Sequence, residues 1–123
     1  INGMNVFSFA ISRPPKSVEK FLTDYKINRD TDIDYFLIHQ ANKMIVDRIV
    51  KKLKLPQEKV PYNLEEFGNL GGASIPSLMV TQLRGKLISK ETTLLMSSFG
   101  LGLTWGTMWI KTKGMVIPQL IVC

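Results

Sequence analysis

Apolar residues along the chain change period repeatedly, and each change predicts an element. Val6 to Ile11 is an apolar run of helical character, interrupted by Pro14-Pro15. Ser17 is placed to cap a second helix over Val18 to Tyr25, with Val18, Phe21, Leu22 and Tyr25 facing inward. Residues 28–34 are polar and turn-like. Tyr35-Phe36-Leu37-Ile38 is unbroken and apolar, the signature of a short strand buried on both faces. From Lys43 to Leu53 the period becomes helical: Ile45, Val46, Ile49, Val50 and Leu53 share one face, Asp47 and Lys51 are spaced to pair on the other, and Pro56 stops the helix. Residues 60–63 read as a weaker strand. Pro76 fits the first turn of a helix over 74–86, with Ile75, Leu78, Met79 and Leu83 as its apolar stripe. Thr92 to Phe99 and Leu103 to Ile110 read as two strands joined by the turn Gly100-Leu101-Gly102. Helices alternating with buried strands predict an α/β fold.

The chain's 123 residues suit one domain, and a hydrophobic fraction of 45% is ample for a core. No apolar run approaches the roughly 20 residues that cross a bilayer, and no signal-peptide pattern opens the chain. The first residue is Ile1 rather than methionine, which points to a piece of a longer protein. A single cysteine, Cys123, ends the chain; it forms no internal disulfide, fits a reducing cytoplasm, and its terminal position argues against a nucleophile. Net charge is +6, and six basic residues between Lys43 and Lys59 face only Asp47 and Glu58. That local excess favours an acidic partner. Nucleic acid is disfavoured, because the stretch has no interleaved aromatics and no nucleic-acid module signature is present.

Ligands of open α/β sheets bind beyond the carboxyl ends of strands. His39, the only histidine, follows the first predicted strand. Asn69, thirty positions later in the glycine-rich turn Gly68-Asn69-Leu70-Gly71-Gly72, follows the predicted strand 60–63. The Gly100–Gly102 turn follows a third strand. A neutral imidazole and an amide converging there could bind the oxygen of a thioester or an enolate.

Three motifs carry a resemblance: His39-Gln40-Ala41-Asn42, then Gly68-Asn69 with Ala73-Ser74-Ile75-Pro76, then Phe99 through Gly106. In order and spacing they resemble the C-terminal half of β-ketoacyl-acyl-carrier-protein synthase III, a thiolase-like condensing enzyme. The resemblance implies a mixed sheet with helices on both faces. It assigns 1–111 to the C-terminal portion of such an enzyme and leaves 112–123 as an unassigned tail. It also implies that the half's first strand, taken as central in the sheet, precedes Ile1 and is missing.

The family transfers an acyl group from a coenzyme A thioester to a cysteine, then condenses it with malonyl-acyl-carrier protein after loss of carbon dioxide. By matched positions, His39 and Asn69 would stabilise the enolate oxygen, and a backbone N–H of Gly100-Leu101-Gly102 would complete the oxyanion hole. Leu101 stands where a further glycine is common, which narrows the pocket. Asn42, Lys43, Arg48, Lys51 and Lys52 would meet the pantetheine arm and acyl carrier protein. Met44 stands where an arginine is common, and Lys43 does not reproduce arginine's bidentate geometry. The nucleophilic cysteine belongs to the N-terminal half, so this chain alone is expected to be inactive. The resemblance implies no cofactor beyond the substrates, a homodimer for the intact enzyme, and neither a membrane nor nucleic acid as partner. A non-catalytic acyl-carrier or coenzyme A binding module, or an assembly module with a vestigial site, is the alternative. Unpaired strand edges predict self-association, with Val116, Ile117, Leu120, Ile121 and Val122 of the tail available to an edge and Pro118 confining them to it.

Overall fold

The computed structural model describes residues 3–123. Along these residues run α1 (Gly3–Ala10), α2 (Arg13–Asp24), β1 (Tyr35–Ile38), α3 (Lys43–Leu53), α4 (Leu64–Phe67), α5 (Ser74–Gln82), α6 (Arg84–Ser89), β2 (Thr92–Gly100) and β3 (Thr104–Thr112). β1 pairs in parallel with β2, Tyr35 opposite Leu94 and Ile38 opposite Ser97. β2 pairs antiparallel with β3, Phe99 opposite Trp105 and Thr92 opposite Thr112. The sheet is therefore mixed, with β2 in the middle.

Strand alternation divides the core in two. Phe36, Ile38, Leu95 and Phe99 point to one face and pack with α1, α2 and α3 through Ala10, Val18, Leu22, Val46, Ile49 and Leu53. Leu37 and Leu94 point to the other and pack with Leu78 of α5, Leu87 of α6 and Ile117. β1 is buried on both sides, which is why its sequence does not alternate. Helices cover both faces, as the resemblance implies.

Several local expectations are corrected. Pro14 and Pro15 lie inside the first turn of α2, where a missing N–H costs nothing. Ser17 is therefore within the helix and its Oγ lies 3.0 Å from Thr107 Oγ1 of β3. Tyr25 is 67% exposed rather than inward, stacking obliquely on Phe21 at the helix end. Asp47 pairs with Lys43 (2.8 Å), not Lys51, and also accepts from Tyr62 Oη at 2.8 Å. Residues 60–63 form no strand: the Asn63 N–H is taken by the Gln40 side chain rather than by a neighbouring backbone. The expected helix 74–86 divides at Leu83 into α5 and α6. Ser77 and Thr81 hydroxyls bond back to carbonyls of α5, which bends a helix, and Gly85 weakens its continuation.

The three strands are contiguous, so no place exists between them for a further central strand; one can join only at an edge. The tail also departs from expectation. It makes no strand, and Ile117 is buried against α6 while Arg84 Nε donates to its carbonyl at 2.9 Å and the Met115 N–H donates to Leu87 at 3.1 Å.

β3 leaves one edge unpaired among the described residues and exposes Trp105 (43%), Met108 (56%) and Trp109 (42%). An open edge bearing large apolar side chains favours association. The isolated chain is predicted to self-associate, read as a concentration-dependent mass in light scattering; a constant monomer mass would refute this.

Candidate active site

The β1–β2 ladder continues one residue past β1, because the His39 N–H donates to the Ser97 carbonyl at 2.9 Å. This fixes the His39 backbone while the chain turns away through the Ala41 N–H, bonded to the His39 carbonyl at 3.0 Å. The imidazole is 7% exposed and lies edge-on to Phe99, ring centroids 4.9 Å apart. Burial holds its pKa below the usual histidine value of 6.5, so the ring is neutral at pH 7. A neutral imidazole carries one N–H donor, one acceptor nitrogen and no net charge.

Asn69 follows α4 rather than a strand. Gly68 makes the turn at φ 65°, ψ −157°, a conformation closed to residues with a Cβ. Asn69 Oδ1 accepts the Gly71 N–H at 2.9 Å, an Asx turn that fixes the amide and leaves its NH2 as the donor end. His39 and Asn69 line one cavity of about 620 Å³ together with Gly71, Ser98, Phe99, Gly100, Leu101 and Trp105. Gly102, at φ 109°, shapes the turn but does not line the cavity. The Leu101 side chain is 80% exposed at the rim, and its carbonyl accepts from Thr104 Oγ1 at 3.1 Å.

The basic residues are not brought to this cavity. Asn42 caps α3, its Oδ1 accepting the Ile45 N–H at 2.9 Å. Lys43 is tied to Asp47, and hydrogen bonding to that partner lowers the Asp47 pKa and raises that of Lys43. Both line a second, polar cavity of about 600 Å³ with Tyr62, Asn63, Glu65 and Glu66. Burial, then the bond to Asp47, raises the Tyr62 pKa. Lys52 Nζ donates to the Ile11 carbonyl at 3.0 Å, and Arg48 and Lys51 are exposed on α3. Sequence reasoning missed Gln40 and Asn63, both buried, and Trp105 as a cavity wall. The register across the Gly100–Gly102 turn, which sets Trp105 opposite Phe99, was the available signal for the last.

Residues 26–112 match the family model described as 3-oxoacyl-[acyl-carrier-protein] synthase III C terminal. The chain belongs to this family. β-Ketoacyl-[acyl-carrier-protein] synthase III of Microcystis aeruginosa is 44% identical over 107 residues, 86% of this chain and 32% of the relative. The synthase III of Streptococcus sanguinis is 40% identical over 110 residues, 88% of this chain and 34% of the relative. Among solved structures, a 3-oxoacyl-(acyl-carrier protein) synthase from Burkholderia xenovorans LB400 superposes with a TM-score of 0.91 at 34% identity, covering 97% of this chain and 34% of that one. The synthase III of Pseudomonas aeruginosa PAO1 superposes with a TM-score of 0.82 at 30% identity, covering 96% and 37%. This synthase III C-terminal unit thus spans about a third of the length of the curated relatives it matches. No helix among the described residues is long and apolar enough to cross a membrane.

Two measurements follow for this unit. Its single imidazole should titrate by NMR with a midpoint below 6.5. The linked stability is fully present above 6.5 and is lost as pH falls through the lower folded-state value, because the unfolded chain binds the proton first. A midpoint at or above 6.5 contradicts the buried neutral ring. Replacing the α3 cap, Asn42→Ala, should lower unfolding free energy by about 1 kcal/mol in denaturant titration; an unchanged midpoint would show that the cap bond contributes nothing.

Proposed function

We propose that this chain is the C-terminal portion of a decarboxylating condensing enzyme that joins an acyl group, delivered as a coenzyme A thioester, to malonyl-acyl-carrier protein. The observation that carries the reading is the shared cavity of His39 and Asn69. In the step assigned to them, the bond from the malonyl α-carbon to its carboxylate breaks and carbon dioxide leaves. The electron pair is delocalised onto the thioester oxygen as an enolate, then returns through the α-carbon to attack the carbonyl of the cysteine-bound acyl group. The tetrahedral intermediate collapses, the acyl C–S bond breaks and the cysteine leaves as thiolate. His39 and the Asn69 NH2 donate to that oxygen, and preorganised donors of this kind are each worth about 2.7–4 kcal/mol in the transition state. The Gly100–Gly102 turn contributes a backbone N–H to the acyl oxyanion, a donor that Leu101 retains because only proline removes it.

The nucleophilic cysteine, on this reading, comes from a segment outside this chain, since Cys123 is exposed and does not line the cavity of His39 and Asn69. Acyl carrier protein is the partner, drawn by the basic face of α3 through Arg48, Lys51 and Lys52. The intact enzyme is a cytoplasmic homodimer, and the chemistry described requires no cofactor.

The test is made in the full-length enzyme that contains this chain. His39→Ala and Asn69→Ala should each slow malonyl decarboxylation by about 10²–10³-fold while leaving acyl transfer to the cysteine intact, because only decarboxylation develops the enolate. Decarboxylation at the unsubstituted rate in either variant would sink the assignment.

A further inference from the structure

Gln40 directly follows His39 and is fully buried. Its amide is engaged at both ends: Nε2 donates to the Ile38 carbonyl at 2.9 Å, and Oε1 accepts the Asn63 N–H at 3.2 Å. Asn63, itself buried, begins the turn of α4, its carbonyl accepting the Glu66 and Phe67 N–H groups at 3.3 and 3.0 Å. Its Nδ2 reaches α5 and donates to Ser77 Oγ at 3.0 Å and Thr81 Oγ1 at 3.3 Å. Those hydroxyls already donate to the Ser74 and Ser77 carbonyls at 2.7 Å, so towards Asn63 they can only accept. The amide orientation of Asn63 is fixed accordingly.

Asn69 lies on the loop between α4 and α5. The Asn63 side chain ties the start of α4 to α5, the two helices that flank that loop, and the Asn63 backbone ties them to Gln40, the residue beside His39. We infer that Gln40 and Asn63 are positioning residues that set the separation of the His39 ring from the Asn69 amide. Neither lines the cavity that those two share. The inference rests on the proposed function for its catalytic consequence, though not for its geometry. Buried hydrogen bonds of this kind meet little competition from water and hold a fixed arrangement. Misplacing a catalytic group by about 1 Å costs as much as 10²-fold in rate.

Asn63→Leu and Gln40→Met, each close in size and without the amide, are made in the full-length enzyme. Each should lower kcat for malonyl decarboxylation by about tenfold or more, with the KM for the malonyl thioester and the rate of acyl transfer essentially unchanged. In NMR spectra, the imidazole signal that His39→Ala removes and the Asn69 NH2 signals should both shift. A folded Asn63→Leu enzyme with unchanged kcat overturns the inference. A parallel fall in decarboxylation and acyl transfer also overturns it, because that marks general damage. Should either variant fail to fold, Ser77→Ala combined with Thr81→Val severs the Asn63 link from its other end, and the same kcat loss is expected. If His39→Ala itself leaves decarboxylation intact, the proposed function fails while the NMR signals still decide the geometry: shifts in Gln40→Met uphold positioning, and their absence refutes it.

Discussion

The parallel pairing of β1 with β2 is the interaction on which everything else depends. Four residues of β1 are clamped between two apolar layers, Phe36 and Ile38 on one side and Leu37 on the other. The ladder extends to His39, so the imidazole's position is a continuation of the sheet rather than a property of a loop. Sites built on rigid elements hold their geometry better than sites on loops. Asn69 has no such strand beneath it and depends on helix ends and buried amides instead.

The fold was legible wherever periodicity was strong. β1, β2, β3 and α3 lie where their apolar patterns place them, because each buries a face that the sequence writes directly. Misreadings came where a side chain replaced the backbone as partner. Residues 60–63 have strand-like composition, yet the Gln40 amide takes the Asn63 N–H, and no neighbour in the chain announces that bond. The end of α2 was blurred for a different reason: Lys26 takes the left-handed region at φ 53°, where a glycine would have been a readable stop, whereas α3 ends at Leu53 as its pattern predicts.

The candidate site divides in the same way. His39 and Asn69 stood out because histidine is unique in the chain and Gly68 marks a turn, and both reach one cavity. The basic residues were a weaker inference, since charge on a helix says little about what lies beneath it. Asn42 and Lys43 prove to be engaged within the protein, one as a helix cap and the other by Asp47. Gln40 lies inside the His39–Asn42 motif, yet its role is not legible there, because full burial of an amide is a tertiary fact that composition does not reveal.

The Asx turn at Asn69 separates shape from chemistry at this residue. Its Oδ1 holds the Gly71 N–H, and a carboxylate oxygen would hold that N–H equally well. Aspartate in this position would therefore leave the loop's backbone satisfied while exchanging a donor for a charged acceptor at the cavity wall. The turn selects for an acceptor oxygen, and only the face turned to the cavity distinguishes the amide from the acid.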